Sequence, residues 1–453
     1  MSNHATNPRL QILANTPIPK ALLSLGLPTM LGMLINAIYN VADAYFVSNL
    51  GESPLGAIAI VYPLSQVVVG LGLLFGNGAA AYISRQLGRN EYRKAGQAAS
   101  TALYSCLFSG GLIILPALVF LQPLLQFSGA SASIMSYAQS YARIYLLACI
   151  FNLFNVSMNN LVTSEGAAKV TRRALLSGAL LNIILDPLLI YTLNFGIAGA
   201  AMATAISQLF SSLIYLRYIL SGNSLFSFRL KDCCFSREII QPMLQIGLPT
   251  LIFQLLGSLS IVLINRNAQP YGDYAVAALG AVTRLLAIGS LMVFGFIKGF
   301  QPIAAYNYGA GNFKRLRSAV KTATLFSTVF CIGFSLLLLI FAPQIIAQFS
   351  DQKLPLNTEL LTLGVYALRI NALAFIFFGF HTIYSCLFLA LGKAKAGFFL
   401  GVCRQGICFL PLLWLLPRHY GINGVIYAQP ASDTITALIT LILALYLHNE
   451  LSK

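Results

Sequence analysis

The sequence predicts an all-α integral membrane protein, with twelve transmembrane helices in two parallel six-helix repeats. Three observations carry this reading. Hydrophobic residues make up 58% of the 453 residues and charged residues 9%, where an ordinary soluble domain carries about 25% charged residues. Apolar runs such as 325–341 and 363–391 are too long and continuous for barrel strands, which alternate over about 10 residues. The chain also repeats itself at an offset of 221 to 226 residues.

Hydrocarbon offers the backbone no hydrogen-bond partner, so a span must satisfy its own N–H and C=O groups, which takes a helix of about 20 apolar residues. Polar or Gly-rich breaks divide the chain into spans at 21–48, 54–84, 95–122, 133–161, 172–193 and 197–221, then 238–266, 275–306, 318–342, 358–390, 396–417 and 423–447. An even number of spans puts both termini on one side. Basic clusters mark that side: Arg85, Arg89, Arg93 and Lys94, then Lys169, Arg172 and Arg173, then Lys314, Arg315, Arg317 and Lys321. The opposite loops hold only Lys353 and Arg418. This positive-inside bias makes the clustered side cytoplasmic. It also accounts for the net charge of +16 without nucleic acid as a partner.

The repeat is carried by short matches in the same order. Gly26-Leu27-Pro28-Thr29 matches Gly247-Leu248-Pro249-Thr250, and Leu55-Gly56-Ala57 matches Leu279-Gly280-Ala281. Gln126-Phe127-Ser128 matches Gln348-Phe349-Ser350, Arg143-Ile144 matches Arg369-Ile370, and Gly196 and Gly199 match Gly421 and Gly424. Six spans per half give the halves one orientation, related by an axis along the membrane normal. Such repeats are a transporter architecture. The expected organisation is a cytoplasmic N-terminus (1–20), an N-lobe (21–221), a polar, basic linker (222–237), a C-lobe (238–447) and a cytoplasmic C-terminus (448–453).

Ionisable residues inside spans are expensive, a central Asp costing about 2.5 to 3.5 kcal/mol, so each is a functional candidate. Asp43 on the first span and Asp186 on the fifth stand out. Asn36, Tyr39, Asn40 and Asp43 share one helix face, as do Asn182 and Asp186, Thr204 and Gln208, and Asn152, Asn155 and Asn159. Four polar stripes in one half should converge on an interior cavity. The positions matching Asp43 and Asp186 fall at Ile264 or Asn265 and at Pro411 or Leu412. The second half therefore lacks the carboxylates, and ion coupling is expected in the first. The competing role for these groups is interhelical hydrogen bonding, worth about 0.6 kcal/mol each.

Arg284 and Lys298 are expected to line a second-half cavity. Asp433 stands on the last span with no partner that the sequence names. Glu91 and Glu165 are expected in solvated cytoplasmic loops. Pro28 lies on the helix of Asp43, where a bend would move that carboxylate; a static kink is the alternative. None of the Cys falls in a predicted outside loop, so no disulfide framework is expected. The His are scattered without metal-ligand spacing, and residues 1–19 lack the apolar core of a cleaved signal peptide.

The pattern resembles the multidrug and toxic compound extrusion (MATE) family over nearly the whole chain. The resemblance rests on the twelve spans in two lobes, Pro28 and Asp43 on the first span, and Asn182-Ile183-Ile184-Leu185-Asp186-Pro187 on the fifth. The pairing of Asp43 and Asp186 with Asn182 and Thr204 is similar to the DinF-like branch, whose cation site lies in the first lobe. The NorM-like branch relies on second-lobe carboxylates, and no recognisable set occurs here. The resemblance implies a V-shaped MATE fold, alternating access, and export of amphipathic, often cationic drugs or toxins against H⁺ or Na⁺. By motif it makes Asp43, Asn182, Asp186 and Thr204 the coupling site, which would hold H⁺ or Na⁺ on oxygen donors alone. It makes Tyr39, Asn36 and Asn159 candidates for contacting substrate. No cofactor beyond the coupling ion is expected, and a monomer among the lipids of a bacterial cytoplasmic (inner) membrane is the expected setting. A lipid or lipid-linked oligosaccharide flippase is the alternative, but it would favour a cationic cavity. An enzyme is not expected, because no Walker, His-Glu-x-x-His or Gly-x-Ser-x-Gly motif occurs.

Overall fold

The computed structural model describes residues 8–48, 50, 52–128, 132–347 and 358–452. Among the described residues every regular element is helical, and 12 helices are long and apolar enough to cross a membrane. A short helix α1 (Pro8–Ala14) precedes α2 (Ile18–Ser48), α3 (Glu52–Gly88), α4 (Tyr92–Val119), a short α5 (Leu121–Phe127), α6 (Ala132–Ser164), α7 (Ala168–Pro187) and α8 (Gly196–Leu220). The second half holds α9 (Arg237–Ala268), α10 (Asp273–Gly309), α11 (Phe313–Ala347), α12 (Thr358–Ala390), α13 (Ala394–Val402), α14 (Phe409–Tyr420) and α15 (Ile422–Ser452). Two π turns interrupt this pattern, Leu188–Thr192 after α7 and Cys403–Ile407 between α13 and α14. The span read as 396–417 is thus α13 and α14 joined through a π turn. The other spans agree with the hydropathy reading to within a few residues, α11 and α15 running further at their ends. Helix α2 continues through Pro28.

The cores show how the halves meet. One cluster joins both: Leu25, Ile83 and Leu161 of the first half pack in the same core as Phe300, Ala319 and Leu387 of the second. All lie toward the helix ends that carry the basic clusters. Toward the other end the cores separate, one built on Val61, Leu125 and Leu146, the other on Leu279, Leu338 and Phe409. The halves therefore share a core at one end and keep their own cores at the other.

The shared end is closed by backbone contact. The first helix of each half lies against the second helix of the other, α2 on α10 and α9 on α3. Glycines make this possible at repeat-related positions. A Cβ on Gly78 would overlap the Met243 carbonyl beside Gly247, and a Cβ on Gly299 would overlap the backbone of Gly26. Gly78 and Gly299 are 221 residues apart, as are Gly26 and Gly247. Small residues that let helix backbones touch are the usual means of helix association in lipid. Polar contacts recur at the same seam: Thr29 Oγ1 donates to the Gly295 carbonyl (2.6 Å) and Asn77 Nδ2 to Thr250 Oγ1 (3.0 Å).

Two segments strap this end. Asn307 Nδ2 donates to the Leu13 carbonyl (3.1 Å) and Arg315 Nη2 to the Thr16 carbonyl (2.6 Å), so the segment ahead of α2 is held by the second half. The segment ahead of α9 is held by the first half: the Cys234 N–H donates to Thr101 Oγ1 (2.9 Å), and Tyr104 OH donates to the Phe228 carbonyl (3.2 Å). Glu165 corrects the sequence reading. It is fully buried rather than solvated, because the linker folds back over it and Tyr218 OH (2.5 Å), Ser224 Oγ (3.1 Å) and the Leu225 N–H (2.7 Å) all donate to its carboxylate. Glu91 stays at the surface, 2.9 Å from Lys94.

Replacing Gly299 by Ala should force the helices apart at the seam, at a cost of about 1–3 kcal/mol as an overpacked core. Gly333, whose Cβ would meet nothing within 4 Å, is the control. Thermal unfolding of the purified protein should fall for Gly299→Ala and stay put for Gly333→Ala; equal midpoints would refute the close seam.

Candidate functional site

The carboxylates singled out by their position in spans sit on neighbouring helices of the first half, since α2 packs along α7. Asp186 and Asn182 are buried and one helical turn apart, and Asn182 Nδ2 lies 3.5 Å from Asp186 Oδ1. Asp43 is near enough for its charge to act on Asp186. Three oxygens of this group are buried without any hydrogen-bond partner among the described residues: Asp43 Oδ1, Asn182 Oδ1 and Asp186 Oδ2. A buried, unsatisfied acceptor costs about 1–3 kcal/mol and more if charged. Three together, from α2 and α7, form a set of hard oxygen donors of one sign. Such a set fits a proton or an alkali cation.

Beside it lies a cavity of about 50 Å³ lined by Asn155, Gly178, Asn182, Thr204, Gln208 and Tyr215 among others. It has room for a few water molecules and not for a drug-sized compound, whose pockets run to about 300–1,000 Å³. The structure thus brings Asn182 and Thr204 to one small polar cavity and Asp186 against Asn182. Gly178, on the wall of that space, lets α7 pack closely on α8, because Ser211 Oγ stands where a Cβ would go. The side chains of Asn36 and Tyr39 lie outside the described ones.

The polar stripe on α6 does not act as one group. Asn155 Nδ2 donates to Gln208 Oε1 (2.7 Å) and Ser212 Oγ donates back to Asn155 Oδ1 (2.9 Å), which ties α6 to α8. Asn159 turns the other way and accepts from Lys298 Nζ of the second half (3.3 Å). Lys298 therefore does not line a second-half cavity as expected. It reaches across the seam into a small polar pocket with Ser84, Asn160 and Thr163, because the seam is closed at its level. Arg284 is exposed. Asp433 is not alone: Arg404, on the π turn before α14, pairs with it at 2.8 Å. Hydropathy and helix spacing do not reveal this pair, since its members are 29 residues apart on different helices.

A core shared at one end only, duplicated halves and a group of buried intramembrane oxygens define a multi-pass membrane transporter rather than a channel with a continuous pore. A family model described as MatE matches residues 28–188 and 249–415, so each half carries one copy. The chain belongs to the MatE family, the multidrug and toxic compound extrusion transporters. It is 27% identical over 454 residues to the "Multidrug export protein MepA" of Staphylococcus aureus (strain NCTC 8325 / PS 47), covering 98% of this chain and 97% of that protein. It is 28% identical over 436 residues to the protein of that description from Staphylococcus haemolyticus (96% and 94% covered). Among solved structures, one described as the outward-facing conformation of a multidrug resistance MATE family transporter superposes with a TM-score of 0.92 at 26% identity, covering 99% of each chain. One described as a MATE in the bent conformation gives 0.90 at the same identity and coverage.

Lys298 yields a test of the seam. No charged side chain among the described residues offsets its ammonium, so Lys298→Met, which keeps the volume and drops the charge, should leave thermal stability unchanged or raise it by about 1–4 kcal/mol, as for other buried ionic groups. A loss of several kcal/mol by denaturation in detergent would mean that the cross-seam bond to Asn159 holds the halves together.

Proposed function

We propose that the protein is a secondary active multidrug exporter that expels amphipathic, often cationic compounds in exchange for a cation taken up on Asp43 and Asp186. The observation that carries this reading is the trio of buried, unpartnered oxygens on α2 and α7. Other buried side chains also lack partners, but among the described residues Asp43 and Asp186 are the only carboxylates that do, and an unpaired carboxylate is the costliest such group to bury. The resemblance to proteins described as multidrug export proteins supports the cargo class.

H⁺ is the proposed coupling ion and Na⁺ its rival for the same oxygens. Two carboxylates in one buried site resist simultaneous ionisation. Emptied of its cation, the pair attracts a cationic drug. Loaded, it no longer does, and the drug leaves. A proton falling through 100 mV supplies about 2.3 kcal/mol, enough for a roughly fiftyfold concentration ratio at about 1.36 kcal/mol per decade. In this reading the protein sits in a bacterial cytoplasmic membrane with both termini inside. The shared core and glycine seam then close the cytoplasmic side, and the separate cores leave the lobes parted toward the outside. Of the two charges that would suit a phosphate-carrying flippase, Lys298 is engaged by Asn159 and Arg284 stays exposed.

Asp43→Asn and Asp186→Asn should each reduce dye efflux from everted vesicles to the level of membranes lacking the protein, with expression intact. Efflux at the unsubstituted rate in either would remove the mechanism. Imposing H⁺ and Na⁺ gradients separately on the same vesicles should show efflux driven by H⁺ alone; efflux driven only by Na⁺ would reassign the ion and keep the site.

A further inference from the structure

The duplication lets each wall of the first-half cavity be located in the second half. At an offset of 226, set by Arg143 and Arg369 and by Gly166 and Gly392, Asn155 corresponds to His381 and Gly178 to Arg404. At 225, set by Gly199 and Gly424, Thr204 corresponds to Gln429, Ser207 to Ser432, Gln208 to Asp433 and Tyr215 to Thr440. The contacts follow the same correspondence. In the first half the Ser207 carbonyl stands beside Gly178; in the second, Ser432 Oγ donates to the Arg404 carbonyl (2.7 Å). Asn155 and His381 each bond the matching helix, α8 and α15, though at different positions along it: Asn155 through Gln208, and His381 through Thr440, the counterpart of Tyr215 (Nδ1 to Oγ1, 3.1 Å).

What differs is the occupant. The first half holds a small cavity with Gly178 in its wall and no side chain from that position to fill it. In the second half an arginine grows from the matching position. Its guanidinium lies over the Phe378 ring, 4.6 Å from the centroid. Its Nε donates to Asp433 Oδ1 (2.8 Å) and its Nη2 to Asp433 Oδ2 (3.4 Å), while Gln429 Nε2 donates to the same Oδ1 (2.7 Å). Both Asp433 oxygens are therefore satisfied, whereas Asp43 and Asp186 each keep one that is not. The bidentate fork and the ring stack are interactions that favour arginine over any small ion.

We propose that Arg404 is a tethered cation that fills the second half's counterpart of the polar cavity and so confines cation exchange to the first half. The guanidinium takes the place of a mobile ion and cannot leave. The second lobe then carries a permanent charge balance and does not respond to the ion gradient. Arg404 acts through Asp433 and is a specificity-determining residue for the ion, not a contact for the drug. The inference rests on the first-half cation reading for its contrast alone.

The test is the number of cations bound per molecule by the full-length protein in detergent or nanodiscs. ²²Na⁺ at alkaline pH serves as one probe and proton uptake from a pH-jump indicator as the other. Arg404→Ala removes the occupant; Arg404→Gln keeps more of its volume where the smaller residue impairs folding, and gel filtration identifies the folded variant. Either should double the cations bound, the added site should survive Asp43→Asn, and Asp433→Asn should abolish it. Arg404→Lys, which keeps a tethered charge, should bind no more than the unsubstituted protein. A monodisperse Arg404→Ala or Arg404→Gln protein with no gain would overturn the inference. So would lowered cation binding by Asp433→Asn in the otherwise unaltered chain. If Asp43→Asn leaves binding by the unsubstituted protein untouched while Arg404→Ala still adds a site, the first-half reading fails and the role of Arg404 stands.

Discussion

The organising constraint is the scarcity of hydrogen-bond partners inside a bilayer. A polar atom that finds no partner in its own protein finds none in hydrocarbon either. Most intramembrane polar side chains here obey that constraint. Asn155 is closed off by Gln208 and Ser212, Asp433 by Arg404 and Gln429, and Thr29 by the Gly295 carbonyl. Among the described residues thirteen buried side-chain atoms lack a partner, and Asp43 and Asp186 hold the two that are carboxylate oxygens; an open carboxylate is the costliest of these to leave unpaired, and it persists more readily where a cation comes and goes.

Duplication supplies the frame in which that asymmetry matters. Gly78 against Gly247 and Gly299 against Gly26 are the same contact made twice, so the seam is built from one design used in both directions. The two straps ahead of α2 and α9 repeat the theme, each tying a seam helix to the opposite half. Against this near-symmetry, the matching polar regions differ in content: the first half has a small cavity beside unpaired carboxylates, and the second has the Arg404–Asp433 pair. A scaffold that moves both lobes alike can still take its drive from one of them.

Much of this was legible in the sequence. The spans, the repeat and the cost of Asp43 and Asp186 in apolar helices need only hydropathy and spacing, and Asn182 joins Asp186 because i and i+4 share a helix face. Partners far apart in the chain were not legible. Arg404 meets Asp433 because α15 packs along α14 and the π turn at 403–407 sets the arginine's direction. Lys298 crosses to Asn159 because the glycine seam brings α10 against the first half. Glu165 is buried because the linker folds back over it, which neither its charge nor its loop position announces. The signal that could have found Arg404 is the repeat itself, since Gly178 and Arg404 share a repeat position and differ in whether they fill it.

The claim beneath all of this is that a mobile cation exchanges on the first-half carboxylates. Infrared difference spectroscopy of the protein in lipid addresses it without a drug or a transport assay. Stepping the pH, and separately adding Na⁺, should change one buried carboxyl C=O stretch, and that band should vanish when Asp186 is replaced by Asn. A carboxyl region that responds to neither cation, or a response that survives both Asp43→Asn and Asp186→Asn, would contradict the account.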